Sequence, residues 1–169
     1  PHSFREPDTR SHGTSVNQMM IDAHTELFGV IGNPVAHSLS PIMLNRAFET
    51  TGYNGRYLAF NVSDLPATVE GIRALNINGV SVTVPHKVAV MAHLDDIDEM
   101  AQKIGAVNTI VNRNGRLKGF NTDCQGAITA LETETNLKKQ TVALIGAGGA
   151  ARAIGFGVKA AGSRVTIFN

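Results

Sequence analysis

The sequence has one cysteine, no long apolar run and no block of lysine or arginine among its 169 residues. The single thiol, that of Cys124, excludes an intramolecular disulfide and is typical of a reducing compartment. No run approaches the roughly 18 apolar residues of a membrane span, and the N-terminus lacks the basic and then apolar pattern of a secretory signal. These absences predict a cytoplasmic protein without a membrane partner.

The charge and the spacing of the histidines argue against a nucleic-acid-binding protein and against a metalloprotein. The chain has 15 lysine and arginine residues and 14 aspartate and glutamate residues, a formal net charge of +1, so no nucleic-acid partner is expected. Its six histidines lack the spacing of metal ligands, and we predict no metal. His37 and His86 are interpreted as orienting or packing residues. The hydrophobic share of 43% indicates a soluble globular chain of one ordinary domain or two small ones.

Strand and helix patterns alternate along most of the chain, which is typical of an α/β fold. Residues 1–24 are polar and without a period, which predicts a poorly ordered extension. Residues 25–122 are predicted to form an α/β sandwich, and residues 123–169 to begin a second α/β domain. The chain starts at Pro1, with no initiator methionine, as a cut or processed protein would.

Apolar periodicity and turn residues define the predicted elements. In the first domain the predicted strands are Leu27 to Ile31, Tyr57 to Val62, Gly79 to Val84 and Val107 to Asn112, with an Asn114-Gly115 hairpin turn into Leu117-Lys118. The predicted helical segments are Ser40 to Gly52, Asp64 to Leu75, Val88 to Leu94 and Asp98 to Ile104, and a longer helix follows Thr122. Ser40 is expected to cap the first helix, with Pro41 in its first turn.

A glycine-rich turn joins the predicted strand Thr141 to Ile145 to the next helix. Gly146 permits the tight turn, Gly148 lets backbone amides approach a pyrophosphate, and the small Ala151 lets helix and strand pack closely. The helix N-terminus supplies free amides for phosphate. The pattern predicts dinucleotide binding, against the alternative of a tight turn in another α/β fold. The candidate cofactor-binding residues are Gly146, Ala147, Gly148, Gly149, Ala150 and Asn169.

The second domain contains one predicted βαβ unit, completed by a helix from Ala150 to Ala161 and a strand from Arg164 to Phe168. A mononucleotide-binding half needs three strands, so we expect an incomplete domain and no activity from this chain alone. The apolar strand Thr141 to Ile145 needs neighbours on both sides, which predicts aggregation or pairing with another chain. The residue that separates NAD from NADP lies at or beyond Asn169, so the choice stays open.

Three polar corners follow apolar runs, at residues 33–41, 79–87 and 119–123, and their hydroxyl and amide groups suit a small hydroxylated ligand. Lys87 and Asp123 are the candidate catalytic pair. Oxidation of a secondary alcohol by hydride transfer releases the hydroxyl proton, so an amine near that oxygen can act as acid or base while a carboxylate orients it. Alone, each residue would more often be a solvated lysine or a turn aspartate.

Neutral side chains near these corners are candidate contacts for ligand hydroxyls or a carboxylate. They are Ser38, Ser40, Ser81, Thr83, Asn108 and Asn121. The alternative is that these residues have local roles only. Ser40 and Thr122 would then cap helices, and Asn108 and Asn121 would be turn residues. Cys124 has no paired base evident in the sequence and is interpreted as a small buried helix residue.

Five motifs occur in one order along the chain. They are Gly32-Asn33-Pro34-Val35 to Ser38-Leu39-Ser40-Pro41, Ser81 to Lys87, Gly105 to Thr109, Asn121-Thr122-Asp123 and Gly146 to Arg152. With these motifs, the chain from about Leu27 to Asn169 resembles the shikimate dehydrogenase family, including the dehydrogenase half of bifunctional dehydroquinate dehydratase/shikimate dehydrogenases. The resemblance implies a substrate-binding domain at residues 25–122, followed by the start of a Rossmann dinucleotide-binding domain at residues 123–169. It also implies NADP-linked, reversible reduction of 3-dehydroshikimate to shikimate in aromatic amino-acid biosynthesis.

The resemblance also implies roles for individual residues. Lys87 and Asp123 take the positions of the catalytic pair. The substrate carboxylate and hydroxyls would be held by Ser38, Ser40, Thr83, Asn108 and, by position, Ser81. The chain departs from the family at Leu44-Asn45, where a His-Asn pair is frequent, and this is expected to alter packing behind the serines.

Three alternatives stay open from the sequence. The same fold could act on quinate, which has one more hydroxyl than shikimate, with NAD or NADP. A non-catalytic shikimate-binding module would keep the pocket, although the presence of both Lys87 and Asp123 argues against it. A general nucleotide-binding module rests on the glycine turn only and does not explain the polar corners. Both a monomer and a homodimer are compatible with the sequence.

Overall fold

The computed structural model describes residues 21–169. The predicted extension at residues 1–24 lies outside the described residues, apart from its last four. In that short part, the Asp22 carboxylate accepts a hydrogen bond from the Asn54 amide at 2.9 Å. This bond attaches the segment to the turn before the second strand.

The described chain contains eight strands and five α-helices. The strands are β1 (Glu26–Gly32), β2 (Gly55–Asn61), β3 (Gly79–Val82), β4 (Asp96–Ile97), β5 (Thr109–Arg113), β6 (Arg116–Phe120), β7 (Thr141–Ile145) and β8 (Arg164–Phe168). The helices are α1 (Ser40–Thr51), α2 (Leu65–Ala74), α3 (Glu99–Ile104), α4 (Asp123–Glu134) and α5 (Gly149–Ala160), and a 3-10 helix spans Ala89–His93. The bounds of β7 and β8 agree with the sequence prediction.

Six strands form a mixed sheet in the order β2-β1-β3-β5-β6-β4. β1 is parallel to β2 and β3, whereas β5 is antiparallel to β3 and β6. β7 and β8 pair in parallel as a separate two-stranded sheet, and α5 connects them. The α/β fold class is therefore confirmed. The β5–β6 hairpin turns at Asn114 and Gly115, whose φ angles of 54° and 82° are the left-handed values that a tight hairpin requires.

The main core lies between the six-stranded sheet and α2. Leu65, Val69 and Ile72 recur at helical spacing, and all three are buried. They belong to one cluster with Ile110 of β5 and Leu117 of β6. Burial of one such side chain contributes about 1.5–3 kcal/mol. This packing holds the strand ends that carry the polar corners.

One local prediction was wrong. Ser40 is the first residue of α1 and not its cap, because Leu39 occupies the N-cap position, from which its side chain forms no capping hydrogen bond. The helical segment predicted from Val88 to Leu94 is present as the 3-10 helix Ala89–His93, in which the N–H groups of Met91 and Leu94 bond to carbonyls three residues earlier. β4 was missed because two residues are too few for an alternating pattern.

Helices α4 and α5 pack closely against each other at Gly157. A β-carbon on Gly157 would lie 2.6 Å from Ile128 Cγ1 and 3.0 Å from Cys124 Sγ. Gly126 lies on α4, and a β-carbon there would meet nothing within 4 Å. The two glycines therefore differ in the space around them.

We expect Gly157→Ala to destabilise the full-length protein by about 1–3 kcal/mol, because the added methyl group must displace Ile128. Gly126→Ala should stabilise it by up to about 1 kcal/mol, because alanine is the better helix former. Urea titration followed by circular dichroism measures both midpoints. A Gly157→Ala midpoint at or above that of the parent would contradict the close approach of the helices.

Candidate functional site

A cavity of about 320 Å³ lies where β1, β3 and β6 end and β5 begins. These strand ends meet at one edge because β5 runs opposite to its neighbours, so the polar residues that follow the strands converge there. Seven of the predicted catalytic and ligand-binding residues line the cavity: Ser38, Ser40, Ser81, Thr83, Lys87, Asn108 and Asp123. His37 lines it as well. Asn121 does not, and its amide donates to the Ala106 carbonyl at 2.9 Å as a turn residue would.

Lys87 and Asp123 form an ion pair in the cavity wall. Lys87 Nζ lies 2.6 Å from Asp123 Oδ2, and the two side chains are 16% and 27% exposed. Lys87 follows β3, and its carbonyl accepts the Val107 N–H at 2.8 Å, which fixes the backbone that carries the amine. Asp123 is the first residue of α4, where the helix N-terminus favours negative charge. The cavity thus contains an amine whose position is set by a carboxylate.

Asn108 binds the other oxygen of the Asp123 carboxylate. Its Nδ2 donates to Asp123 Oδ1 and to Thr122 Oγ1, each at 2.8 Å. Its Oδ1 accepts from the Thr122 N–H and the Thr109 hydroxyl, each at 2.9 Å. An amide side chain has two donor hydrogens and two acceptor lone pairs, so all four are in use. Asn108 therefore joins β5 to α4 and orients Asp123.

The turn between β1 and α1 supplies the serine hydroxyls of the cavity. The Asn33 N–H donates to the Val84 carbonyl at 2.9 Å, which ties this turn to the segment after β3. Ser38 Oγ accepts a hydrogen bond from the Ser40 N–H at 3.3 Å. Because α1 begins at Ser40, its N-terminus lies at the cavity wall, where its partial positive charge suits an anion.

Ser81 and Thr83 are two residues apart along an extended segment and lie on the same face of it.

Sequence reasoning missed Tyr57, which is 3% exposed and donates a hydrogen bond to Ser81 Oγ at 2.7 Å. Burial raises the pKa of the Tyr57 phenol. Alternation along β2 could have identified Tyr57 as an inward-facing residue. Its partner could not be read from the sequence, because β1 lies between the two strands.

Three other polar residues have packing roles around the cavity. His86 is buried, with Nε2 3.1 Å from the Val62 carbonyl, so the ring donates to that carbonyl. Asn45 bonds both backbone groups of Tyr57, at 2.9 Å each. Burial raises the pKa of the Cys124 thiol, which favours the protonated thiol over a nucleophilic thiolate.

A second cavity, of about 510 Å³, lies between the glycine turn and the segment after β3. Its lining residues are Thr83, Val84, Pro85, Lys87, Val88, Ile145, Gly146, Gly148, Gly149, Ala150 and Ala151. Ala147 and Asn169, also predicted to bind the cofactor, are not among them. Gly146 has a φ of 99°, a conformation that favours glycine. Lys87 lines both cavities and therefore lies between them.

The glycine turn packs directly against the lysine. A β-carbon on Gly149 would lie 2.7 Å from Lys87 Cβ and 3.1 Å from its Cδ. Gly148, one residue earlier, has no atom within 4 Å of such a carbon. Helix α5 also packs closely on β7 at Gly155, where a β-carbon would lie 3.2 Å from Leu144 Cδ2.

Residues 21–169 contain neither a cluster of metal-binding side chains nor a helix that could span a membrane. No group of three or more histidine, cysteine, aspartate or glutamate side chains in that range could hold a metal ion. No helix in the same part of the chain is long and apolar enough to cross a membrane.

Residues 30–110 match the family model described as the shikimate dehydrogenase substrate binding domain. Over 141 residues the chain is 51% identical to the shikimate dehydrogenase (NADP(+)) of Caldanaerobacter subterraneus subsp. tengcongensis, which covers 82% of this chain and 50% of that relative. The chain spans about half the length of the curated relatives it matches.

Solved structures agree with this match. Shikimate dehydrogenase from Aquifex aeolicus is 40% identical, with a TM-score of 0.85 over 88% of this chain and 57% of that one. Shikimate 5-dehydrogenase from Thermus thermophilus, in complex with NADP(H) and shikimate, is 43% identical, with a TM-score of 0.77 over 84% of this chain and 55% of that one. Residues 30–110 of the chain therefore belong to the family of shikimate dehydrogenase substrate-binding domains.

Proposed function

We propose that this protein is a shikimate dehydrogenase, which catalyses the reversible NADP-dependent reduction of 3-dehydroshikimate to shikimate. One observation carries the proposal: Lys87 lines both the hydroxyl-rich cavity and the cavity beside the glycine turn, and it is bonded to Asp123. In hydride transfer, a substrate carbon and a nicotinamide must meet beside a group that moves a proton. The match to NADP-dependent shikimate dehydrogenases supports this assignment.

The residues of the glycine turn fit a dinucleotide. α5 begins at Gly149, and the first N–H groups of a helix have no partner within it, so they can bind a pyrophosphate. The open space at Gly148 leaves its backbone accessible. Gly146, Gly148, Gly149 and Ala150 would hold the cofactor, and Ala147 and Asn169 stay candidates. When bound, NADPH would supply the hydride.

Lys87 would transfer the proton. During reduction its ammonium gives a proton to the carbonyl oxygen of 3-dehydroshikimate while the carbonyl carbon receives the hydride, so the C=O group becomes a secondary alcohol. During oxidation the neutral amine takes that hydroxyl proton back. Asp123 holds the amine at 2.6 Å, and Asn108 binds the second carboxylate oxygen. Proton transfer would then start from a fixed geometry.

The remaining cavity residues would bind the ring and its carboxylate. Ser38 and Ser40 adjoin the N-terminus of α1, which favours an anion, and we assign them to the substrate carboxylate. Ser81 and Thr83 would bind other oxygens of the substrate. Asn108 can contact substrate only if it gives up one of its four bonds, so its main contribution is to hold Asp123.

The other expectations remain part of this proposal. The βαβ unit with its glycine turn supports a Rossmann-type nucleotide-binding domain that begins near residue 123 and follows a substrate-binding domain of residues 25–122. The single cysteine supports a cytoplasmic protein, and the near-neutral charge supports small molecules rather than nucleic acid as partners. Both a monomer and a homodimer are compatible with the observations.

We expect Lys87→Met to reduce kcat of the full-length protein by about 10²–10⁴-fold, the usual contribution of a positioned acid–base group. Binding of shikimate should persist, because the hydroxyl groups of the cavity are unchanged. NADPH formation from shikimate and NADP measures turnover, and calorimetry measures binding. Lys138→Met, at an exposed lysine, is the matched control and should leave turnover unchanged.

The same assay distinguishes the alternatives. Turnover of quinate with little turnover of shikimate by the parent protein would assign the site to quinate. Binding of shikimate without turnover would assign a non-catalytic module. If the Lys87→Met protein oxidised shikimate at the parent rate, Lys87 would not be the group that transfers the proton.

We expect Gly149→Ala to reduce kcat by about 10–100-fold, because the new methyl group displaces Lys87 and small misplacements of reacting groups are costly. Gly148→Ala has room within the protein and should mainly weaken NADP binding. The measurements are kcat and the KM for NADP, with the unfolding midpoint as a check on folding. If the Gly149→Ala protein is folded and its kcat equals that of the parent, the glycine turn does not constrain Lys87.

A further inference from the structure

A buried tyrosine hydroxyl lies behind the cavity wall. The ring of Tyr57 packs in a small cluster with Val30 and Val35. The Asn45 side chain bonds both the N–H and the C=O of Tyr57, each at 2.9 Å. Ring and backbone are therefore both held in place, and the position of the hydroxyl follows from them.

This hydroxyl reaches a residue of the cavity. Tyr57 lies on β2 and Ser81 on β3, with β1 between them; Phe28 of β1 is paired with Tyr57, and Val30 with Ser81. Two strand spacings amount to about 10 Å, a gap that the long tyrosine side chain bridges. The Tyr57 hydroxyl donates to Ser81 Oγ at 2.7 Å, and Ser81 lines the cavity.

The bond decides what Ser81 can offer a ligand. A serine hydroxyl has one hydrogen to donate and two lone pairs to accept with. Tyr57 occupies a lone pair, and within residues 21–169 Ser81 Oγ donates no hydrogen bond to another group. The hydrogen of Ser81 is therefore available to the cavity. A phenol is protonated at neutral pH even at its ordinary pKa of about 10, and burial raises the pKa of Tyr57 further, so its hydroxyl can donate.

We propose that Tyr57 is a positioning residue that fixes Ser81 as a hydrogen-bond donor to an oxygen of the bound polyhydroxy acid. The proposal rests on the proposed function, because it names a residue that acts on the same substrate. Ser38 has a similar arrangement, since its Oγ accepts from the Ser40 N–H. Two hydroxyls of the cavity thus receive a protein hydrogen bond and keep their own hydrogens for a ligand.

Tyr57→Phe in the full-length protein removes this one hydroxyl and keeps the ring. We expect the KM for shikimate to rise by about three- to ten-fold, the effect of losing one neutral hydrogen bond. The kcat should change by less than about two-fold, because a change in uniform binding alters KM alone. Tyr53→Phe is the matched control. Its hydroxyl bonds to Glu26 on the exposed side of the protein, and both constants should stay at parent values.

A double-mutant cycle separates positioning from a general structural effect. If Tyr57 acts through Ser81, Tyr57→Phe should raise KM in the parent but change it little in a protein that already carries Ser81→Ala. The same rise in both backgrounds would overturn the proposal and indicate a structural role. An unchanged KM for Tyr57→Phe in the parent would overturn it as well.

Failure of the proposed function gives a different result. If the parent protein binds shikimate but does not oxidise it, the dehydrogenase assignment fails. The double-mutant cycle of Tyr57 and Ser81 is then measured with the Kd of shikimate, obtained by calorimetry, in place of KM. If the parent neither oxidises nor binds shikimate, both proposals are overturned. An active parent with parent-like Tyr57→Phe kinetics overturns only the role of Tyr57.

Discussion

The geometry of the cavity depends on the Asp123 carboxylate, whose two oxygens bind Lys87 and Asn108. These bonds join the segment after β3, the start of β5 and the start of α4. The pair is partly buried, so the removal of one partner would leave a poorly solvated charge, whereas the intact pair adds little net stability. Its value therefore lies in fixing the positions of the amine and the carboxylate, for which the strand ends provide the framework.

The contact between Gly149 and Lys87 explains how two separate sheets can form one site. The six-stranded sheet supplies the hydroxyl-rich cavity, and the β7–β8 unit supplies the glycine turn. Lys87 belongs to the walls of both cavities. A glycine at this helix start is commonly explained by the approach of a phosphate. In this chain, the side chain of a neighbouring segment sets a second requirement for the same glycine.

Local signals in the sequence were sufficient for most of the fold. Apolar runs bounded by turn residues gave β7 and β8, and Asn114-Gly115 gave the hairpin. The cavity residues were predictable because polar residues after strands converge at one sheet edge. The Tyr57–Ser81 bond was not predictable, because it depends on the register of three strands. The prediction that Ser40 caps α1 was wrong, because the capping preference of a residue does not fix the residue at which a helix begins.

The orientation of hydroxyl groups is a physical reason for a buried tyrosine behind a polar cavity. A free serine hydroxyl can rotate, and a ligand that needs its hydrogen must select one of several orientations at an entropic cost. A hydroxyl that already accepts a bond from the protein has fewer choices, and its dipole is oriented before the ligand arrives. Ser38 and Ser81 both meet this condition. Such a cavity favours ligands with acceptor oxygens at those positions, and an analogue without them would leave the donors unpaired. Selectivity for an oxygen-rich ligand can thus arise from neutral groups, which leaves the Lys87–Asp123 ion pair for the proposed proton transfer.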